Sequence, residues 1–247
     1  MSATHSQPPL PGDIALPERW LRIGVTGPTD IDADQVRPRL RALFERFEQA
    51  GGGRKLALIS CLAAGADQVA ARAALGCPDN IVWAVLPGSL EAYRAGQAPA
   101  ARAELDEILA HPQTRVRYEL GLPLPADEAD HQAATSQRRQ DAYSHANTVM
   151  LSNADVLVAL LRCGEPGSRA GSAATAARAL AAGLPLIVLN TEDEHDAGRW
   201  QKGLRPEELY RLLRQRGPCW EGQGVGATRA PQEWLPELLE YLEGAPA

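Results

Sequence analysis

Small and hydroxyl-bearing residues follow the predicted apolar strands of this chain, at positions where they could hold an anion. The stretch Gly24-Val25-Thr26-Gly27 closes the first apolar run and precedes a predicted helix. Glycine has no Cβ and adopts positive φ, so it lets backbone amides approach an anion closely. The amides and the dipole at a helix N-terminus favour the same kind of ligand. The stretch is a candidate phosphate-binding turn, although any tight turn from strand to helix also favours glycine.

Three further loops, Ser60 to Asp67, Leu86 to Tyr93 and Gly164 to Thr175, also follow apolar runs. In an open parallel sheet ligands bind at the carboxyl ends of the strands, so these loops are expected at one edge with the first. Three of the four loops carry glycine or hydroxyl residues directly before a helix. The candidate ligand-binding residues are Gly24, Thr26, Gly27, Ser60, Leu62, Gly65, Asp67, Pro87, Tyr93, Gly171, Ser172 and Ala173.

Several of these side chains have two interpretations that the sequence leaves open. Asp67 could contact a ligand ribose, or it could simply stabilise the N-terminus of its own helix. Ser172 could bind phosphate or act as an ordinary N-cap. Tyr93 and Tyr143 could stack on a base, although half-buried tyrosines are common in proteins without such a ligand.

The elements that must position these residues alternate between apolar runs and amphipathic segments. Five strands are predicted at Leu21 to Val25, Lys55 to Ser60, Ile81 to Leu86, Asp155 to Leu161 and Leu184 to Asn190. A short extra strand is expected at Arg115 to Leu120. The first helix, capped by Asp32 or Asp34, should run to about Ala50 and bury Val36, Leu40, Leu43, Phe44 and Phe47. Helices are also expected from the segment Ala64-Gly65-Ala66-Asp67 to about Gly76, from Glu91 to Ala110, from Gln132 to Leu151, and from the end of the loop at Ser172 to Ala182. This alternation predicts a doubly wound α/β fold, a mostly parallel sheet with helices on both faces.

The two ends of the chain are expected to lie outside this pattern. Residues 1 to 18 hold several prolines and few apolar residues, which predicts a flexible lead-in. We expect the α/β domain to span residues 19 to 195 and a helical extension, residues 196 to 247, to pack on it. That extension includes predicted helices at Pro206 to Arg216 and Gln232 to Leu242, joined by the glycine-rich stretch Gly222 to Gly226.

Composition narrows the function classes. The 247 residues carry a formal net charge of -6, which makes broad contact with nucleic acid unfavourable. Cys61, Cys77, Cys163 and Cys219 form no Cys-x-x-Cys pair, so free thiols in a reducing cytoplasm are expected. The histidines have no metal-ligand spacing, and we expect neither a metal nor a bound cofactor. No apolar run approaches the roughly 20 residues of a membrane span. P-loop and nucleophile-elbow motifs are absent from the sequence.

The same loops resemble a known family. The segments Gly24-Val25-Thr26-Gly27, Ser60-Cys61-Leu62-Ala63-Ala64-Gly65-Ala66-Asp67, Val85-Leu86-Pro87 with Tyr93, Tyr143, Ser152 with Asp155-Val156-Leu157, and Gly171-Ser172-Ala173 are similar to the SLOG superfamily. The resemblance covers about residues 21 to 190. It implies a Rossmann-like fold that binds nucleotides or nucleotide-derived ligands, in many members as a sensor in prokaryotic conflict systems. Relatives in the superfamily include phosphoribohydrolases that activate cytokinins and a DNA-processing protein.

The chain departs from the SLOG pattern in two places. Gly27-Pro28-Thr29 stands where Gly-His-Arg is frequent, and Ala64 stands where glutamate is frequent. The segment Ala170 to Thr175 also lacks the glutamate that the phosphoribohydrolases carry near this point. Because cleavage of an N-glycosidic bond needs a carboxylate near the ribose, the departure argues against hydrolysis. Catalytic residues are therefore unassigned.

The sequence thus leaves three functions open. The first is a sensor that binds a nucleotide-derived small molecule and, as a homo-oligomer, couples to a separately encoded effector. The second is a hydrolase acting on a nucleoside monophosphate, with Asp67 or Asp155 supplying the carboxylate. The third, single-stranded DNA binding, requires a basic groove that the acidic composition does not favour.

Overall fold

A seven-stranded sheet forms the centre of the molecule, in a computed structural model that describes residues 20–50, 54–122, 124, 133–162, 171–193, 195–196, 198–213 and 231–244. The strands are β1 (Trp20–Thr26), β2 (Lys55–Ser60), β3 (Ile81–Leu86), β4 (Thr114–Glu119), β5 (Val156–Leu161), β6 (Leu186–Asn190) and β7 (Arg199–Trp200). Their order is β4-β3-β2-β1-β5-β6-β7, and every neighbouring pair is parallel except β6 and β7. The predicted doubly wound, mostly parallel sheet is confirmed.

Eight helices lie in the described ranges. They are α1 (Ala33–Ala50), α2 (Ala66–Leu75), α3 (Leu90–Ala95), α4 (Pro99–Ala110), α5 (Ala133–Asn153), α6 (Ser172–Ala181), α7 (Pro206–Leu213) and α8 (Pro231–Gly244). Side chains of α1, α2, α3, α4 and α8 share one core cluster with one face of the sheet. Those of α5, α6 and α7 share a second cluster with the other face. The sheet is therefore covered on both sides, as its continuous apolar strands require.

The first helix shows why most helices and strands could be predicted from the local sequence. The five apolar residues predicted on one face of α1 are all buried. Their spacing places them on a single stripe that faces β1 and β2. Asp32 caps the helix, because its Oδ1 accepts hydrogen bonds from the amides of Asp34 (3.0 Å) and Gln35 (3.2 Å).

Removal of this cap should have a measurable cost. We expect Asp32→Ala to lower the free energy of unfolding by about 1 kcal/mol, because two amides at the helix start lose their acceptor. Asp32→Asn keeps an acceptor oxygen and should cost much less. Urea titrations of the three proteins measure the difference, and equal midpoints for the two variants would contradict the capping role.

Two predictions about the elements were wrong. The segment predicted as one helix from Glu91 to Ala110 is divided into α3 and α4, because Gly96 ends the first helix and Pro99 begins the second. Pro99 lacks the amide hydrogen that a continuous helix would use. The second error is β7, which was not predicted and pairs antiparallel with β6. A strand of two residues is too short to show a hydrophobic period.

Other predictions concern residues outside the described ranges. These are the lead-in, residues 1 to 18; most of the loop from Gly164 to Ser172; and the stretch Gly222 to Gly226. Within the described C-terminal part, Leu235, Leu238 and Leu239 of α8 are buried in the core cluster shared with α1. The boundaries of the domains stay a prediction.

Candidate functional site

The strand order reverses between β1 and β5, and this fixes where a ligand crevice can form. From β1 the chain adds β2, β3 and β4 outward on one side, then returns to place β5 on the other side of β1. The connections leaving the carboxyl ends of β1 and β5 consequently diverge to opposite faces of the sheet. In open α/β sheets ligands bind at this kind of reversal. The carboxyl ends of β1, β2 and β5 are therefore the candidate site.

The turns after β1 and β2 are in direct backbone contact. The amide of Ala66 donates to the Pro28 carbonyl at 3.0 Å. A Cβ on Gly65, which has φ +81°, would lie 2.6 Å from Thr29 Cα, and a Cβ on Gly27 would lie 2.9 Å from Leu160 Cβ. Both glycines are needed because two loops and the end of β5 meet here with no room for a side chain.

Gly24 has a different role from the other candidate glycines. It lies inside β1, paired with Ile59 and Leu157, rather than in the turn. A Cβ there would lie 3.3 Å from Ala154 Cβ and 3.4 Å from Met150 Cγ. The missing side chain therefore lets α5 pack closely on the sheet, and Gly24 lies away from the cluster of loops.

Asp67 holds the turn that follows β2. Its carboxylate accepts hydrogen bonds from the Ser60 hydroxyl and from the amides of Cys61 and Ala63, the last at 3.4 Å. Leu62 in the middle of the turn has φ +54°, which is unusual for a residue other than glycine. Its amide donates to Ser60 Oγ at 3.0 Å. Asp67 thus binds the turn before its helix rather than capping the helix itself.

Burial changes the protonation of this carboxyl. Burial raises the pKa of Asp67 to about 7, an effect that outweighs the opposing hydrogen bonds from Ser60, Ala63 and Cys61. A carboxyl that titrates near neutral pH in a candidate crevice is typical of functional sites, although structural groups can show the same shift.

Aromatic residues close the site from α3 and α5. Tyr93 is 2% exposed, and its hydroxyl donates to the Cys61 carbonyl at 2.9 Å. Its ring lies 6.1 Å from that of Tyr143, centroid to centroid, at 52°. Burial raises the pKa of both tyrosines and of the Cys61 thiol. Tyr93 therefore supports the turn after β2, and stacking of either ring on a base stays a prediction.

A buried chain of hydrogen bonds links this turn to the start of α6. Cys61 Sγ donates to Asn147 Oδ1 at 3.5 Å, and Asn147 Nδ2 donates to Thr175 Oγ1 at 3.1 Å. The Thr175 hydroxyl in turn donates to the carbonyl of Gly171, the N-cap residue of α6, at 3.1 Å. The loops of β2 and β5 thus share one polar network through α5.

The first turn of α6 differs from those of the other helices at this edge. Asp32 caps α1, and Ser89 caps α3, where Ser89 Oγ accepts from the Ala92 amide. The first amide of α2 is used by Pro28. The N-cap residue of α6 is Gly171, which has no side chain to accept from the helix amides, and the first turn, which includes Ser172 and Ala173, holds no acidic residue. An anion is therefore better accommodated at α6 than at the other three helices.

Arg162 places a positive charge where the strand order reverses, between β1 and β5. It follows β5 directly, and its Nη1 lies 2.8 Å from Oδ2 of Asp30 in the turn after β1. The guanidinium lowers the pKa of Asp30, since the ion pair stabilises the carboxylate. This pair joins the turn after β1 to the end of β5.

The remaining candidates lie at the periphery of the site. Thr26 is the buried last residue of β1. Pro87 follows β3, and its carbonyl accepts from the Leu122 amide at 3.3 Å. Asp155, the alternative carboxylate, precedes β5 at the opposite edge of the sheet, where Arg22 Nη2 contacts its Oδ1 at 2.5 Å. Asp155 therefore lies at the amino ends of the strands, whereas the loops of the candidate site follow their carboxyl ends.

Sequence reasoning assigned no role to Arg162 or to the hydroxyl of Thr175. Thr175 lies inside a small-residue helix, and no local pattern marks its hydroxyl as a shared hydrogen-bond partner. Arg162 offered a usable signal, because it is the first polar residue after a fully apolar strand.

In the described parts of the chain, no group of three or more His, Cys, Asp or Glu side chains could hold a metal ion. No helix there is long and apolar enough to cross a membrane.

The fold and the position of the crevice define a Rossmann-like α/β protein. Solved structures with a partial likeness to the chain include the following two. One is the X-ray structure of TM1055, a structural genomics target, with 16% identity, a TM-score of 0.41 and coverage of 67% of this chain and 72% of that one. The other is the Moco carrier protein from Chlamydomonas reinhardtii, with 20% identity, a TM-score of 0.44 and coverage of 90% and 99%.

Comparison of sequences does not assign the chain to a family. No family model matches the chain, and no curated protein matches it.

Proposed function

We propose that this protein binds a nucleotide or nucleotide-derived small molecule at the carboxyl edge of its sheet, as a SLOG-like sensor. The observation that carries the proposal is the meeting of the β1 and β2 turns with the end of β5 at the reversal of strand order. A chain of hydrogen bonds links the turn after β2 to the start of α6. Backbone amides at α6 and the guanidinium of Arg162 supply complementary contacts for phosphate. The protein itself would act in the cytoplasm as a homo-oligomer and report to a separately encoded effector.

Calorimetry over a panel of ligands tests the proposal. We expect saturable heat with at least one of AMP, GMP, ADP-ribose and cyclic AMP, without loss of the compound over the titration. Mass spectrometry of the purified protein should detect a co-purified member of the same class. Absence of heat with the whole panel, together with absence of bound nucleotide, would refute the proposal.

A pair of variants locates the binding site. Arg162→Gln should weaken binding about tenfold, because a charge-assisted contact to phosphate is lost. Asp30→Asn removes the partner carboxylate but keeps the guanidinium, so binding should stay equal or become tighter. Arg115→Gln, on the exposed side of β4, is the matched control and should leave the Kd unchanged. Equal loss in Arg162→Gln and Arg115→Gln would place the ligand elsewhere.

A second candidate function, hydrolysis of a nucleoside monophosphate, is favoured by one observation. Asp67 is a carboxyl at this edge whose raised pKa suits proton transfer near neutral pH. Chromatography after incubation of AMP with high concentrations of protein would show free adenine if this function holds. Asp67→Asn should then abolish the release of base.

A further inference from the structure

The Asp67 carboxyl lies at the junction between the two turns of the proposed site. It is 7% exposed, and its three hydrogen-bond donors all belong to the turn that follows β2. Its neighbour Ala66 leaves no room for a Cβ on Gly27 and donates its amide to Pro28. Asp67 is therefore one residue away from the contact between the two turns.

The same carboxyl is connected to the start of α6. It accepts from the amide of Cys61, whose thiol begins the chain through Asn147 and Thr175 to the Gly171 carbonyl. Both parts of the proposed site are thus within one hydrogen-bonded assembly that includes Asp67. A change in the charge of Asp67 can therefore reach both parts through hydrogen bonds.

Two arginines and three groups that are neutral at pH 7 lie near Asp67. The titratable and charged side chains that face this region are Cys61 at the end of β2, Tyr93 of α3, Tyr143 and Arg139 of α5, and Arg178 of α6. Burial raises the pKa of the thiol and of both hydroxyls, so these three groups are neutral at pH 7. Arg178 is engaged by Ser144 and Thr175, and Arg139 acts on Tyr143. In this part of the described chain, hydrogen bonds from Ser60, Cys61 and Ala63 are what stabilise the ionised carboxylate.

We propose that a phosphate-bearing ligand binds this site together with a proton on Asp67, so that affinity falls as the pH rises above neutrality. The inference rests on the proposed function. An anion placed near an ionised, desolvated carboxylate is repelled, whereas the protonated carboxyl is neutral and can itself donate a hydrogen bond. When Asp67 is protonated the turn remains held by the bonds from Leu62 to Ser60 and from Tyr93 to Cys61.

Calorimetry at several pH values tests the coupling. ADP-ribose is the probe, because both of its phosphate groups stay singly ionised between pH 6 and 8. We expect its Kd to be about tenfold higher at pH 8 than at pH 6, the limit set by a carboxyl with a pKa near the middle of that interval. Titrations at pH 8 in two buffers with different ionisation heats should show net proton uptake on binding. If only AMP binds, the same titrations are made with AMP and corrected for the ionisation of its phosphate.

Two variants separate Asp67 from other titrating groups. Asp67→Asn should bind with the same Kd at pH 6 and pH 8 and without proton uptake. Asp79→Asn is the control, since Asp79 lies before β3 at the opposite edge of the sheet and pairs with Lys55. It should keep the pH dependence of the unmodified protein. If Asp67→Asn fails to fold, the two-buffer titration of the unmodified protein still decides.

The pH dependence of stability without ligand tests independently whether the pKa of Asp67 is raised in the folded protein. Because the pKa of Asp67 is higher in the folded protein than in the unfolded chain, the folded state binds more protons between about pH 4 and pH 7. The free energy of unfolding of the unmodified protein, relative to that of Asp67→Asn, should therefore fall as the pH rises from about 4 to about 7. Binding with a Kd that is constant with pH, or without proton uptake, would overturn this inference and leave the proposed function intact. Absence of binding by every ligand of the panel at every pH, together with absence of bound nucleotide, would overturn both.

Discussion

Gly65→Ala should lower the free energy of unfolding by about 3 kcal/mol or more, the largest single-residue effect that we predict. Two costs add at this position. A side chain at φ +81° costs about 1 to 2 kcal/mol, and the added Cβ would overlap the backbone of Thr29, which costs a further 1 to 3 kcal/mol. Backbone atoms cannot rotate away, so the turns after β1 and β2 would have to separate.

Gly183→Ala provides the matched control. Gly183 has a similar φ of +75°, but a Cβ there would meet no atom of the described residues within 4 Å. Its substitution should cost only the conformational part, about 1 kcal/mol. Urea denaturation with unchanged m-values measures both variants. Equal losses of stability in the two variants would show that the close approach of Gly65 to Thr29 is not significant. Ligand binding should also be lost in Gly65→Ala and retained in Gly183→Ala.

Thr175→Val should produce the second large effect, on stability and on binding together. Valine has nearly the same shape, but it removes the acceptor for Asn147 Nδ2 and the donor to the Gly171 carbonyl. Loss of hydrogen bonds in a fully buried position should cost about 2 kcal/mol. Because Gly171 begins α6, we also expect ligand affinity to fall about tenfold.

Thr175→Ser distinguishes the hydroxyl from the packing. Serine keeps the hydrogen-bonding group and loses one methyl group, so most of the binding affinity should remain. Thermal or urea unfolding gives the stability of each variant, and calorimetry with the ligand found in the panel gives the Kd. A variant Thr175→Val that binds as tightly as the unmodified protein would show that the network does not position α6 for the ligand.

Most of the fold could be predicted because its signals are local. The continuous apolar run of β3 can be satisfied only where both faces are covered, and the stripe on α1 fits only one side of a sheet. Alternation of such segments implies parallel strands with crossover helices. The division between α3 and α4 was missed although Gly96 and Pro99 were visible, because propensity over the whole segment favoured one helix.

The candidate site was predicted less completely, because its parts belong to distant segments. Gly27, Gly65 and Asp67 were identified from turn residues at the ends of strands, and the structure brings them together. Gly24 has the same residue type as Gly27, but only its position under α5 shows a packing role. Likewise, only the sheet topology separates Asp155, at the amino edge, from Asp67 at the carboxyl edge.

The turn from Gly24 to Gly27 shows the division between what the sequence by itself determined and what tertiary structure decided. The residue types determined that a strand ends there and that a tight turn leads into a helix, because steric limits on the backbone act over a few residues. They could not determine what each glycine makes room for. That depends on Ala66, Leu160 and Met150, which come close only when β2, β5 and α5 assemble around β1. The raised pKa of Asp67 likewise depends on the tertiary structure, since desolvation is a property of the surroundings and not of the residue.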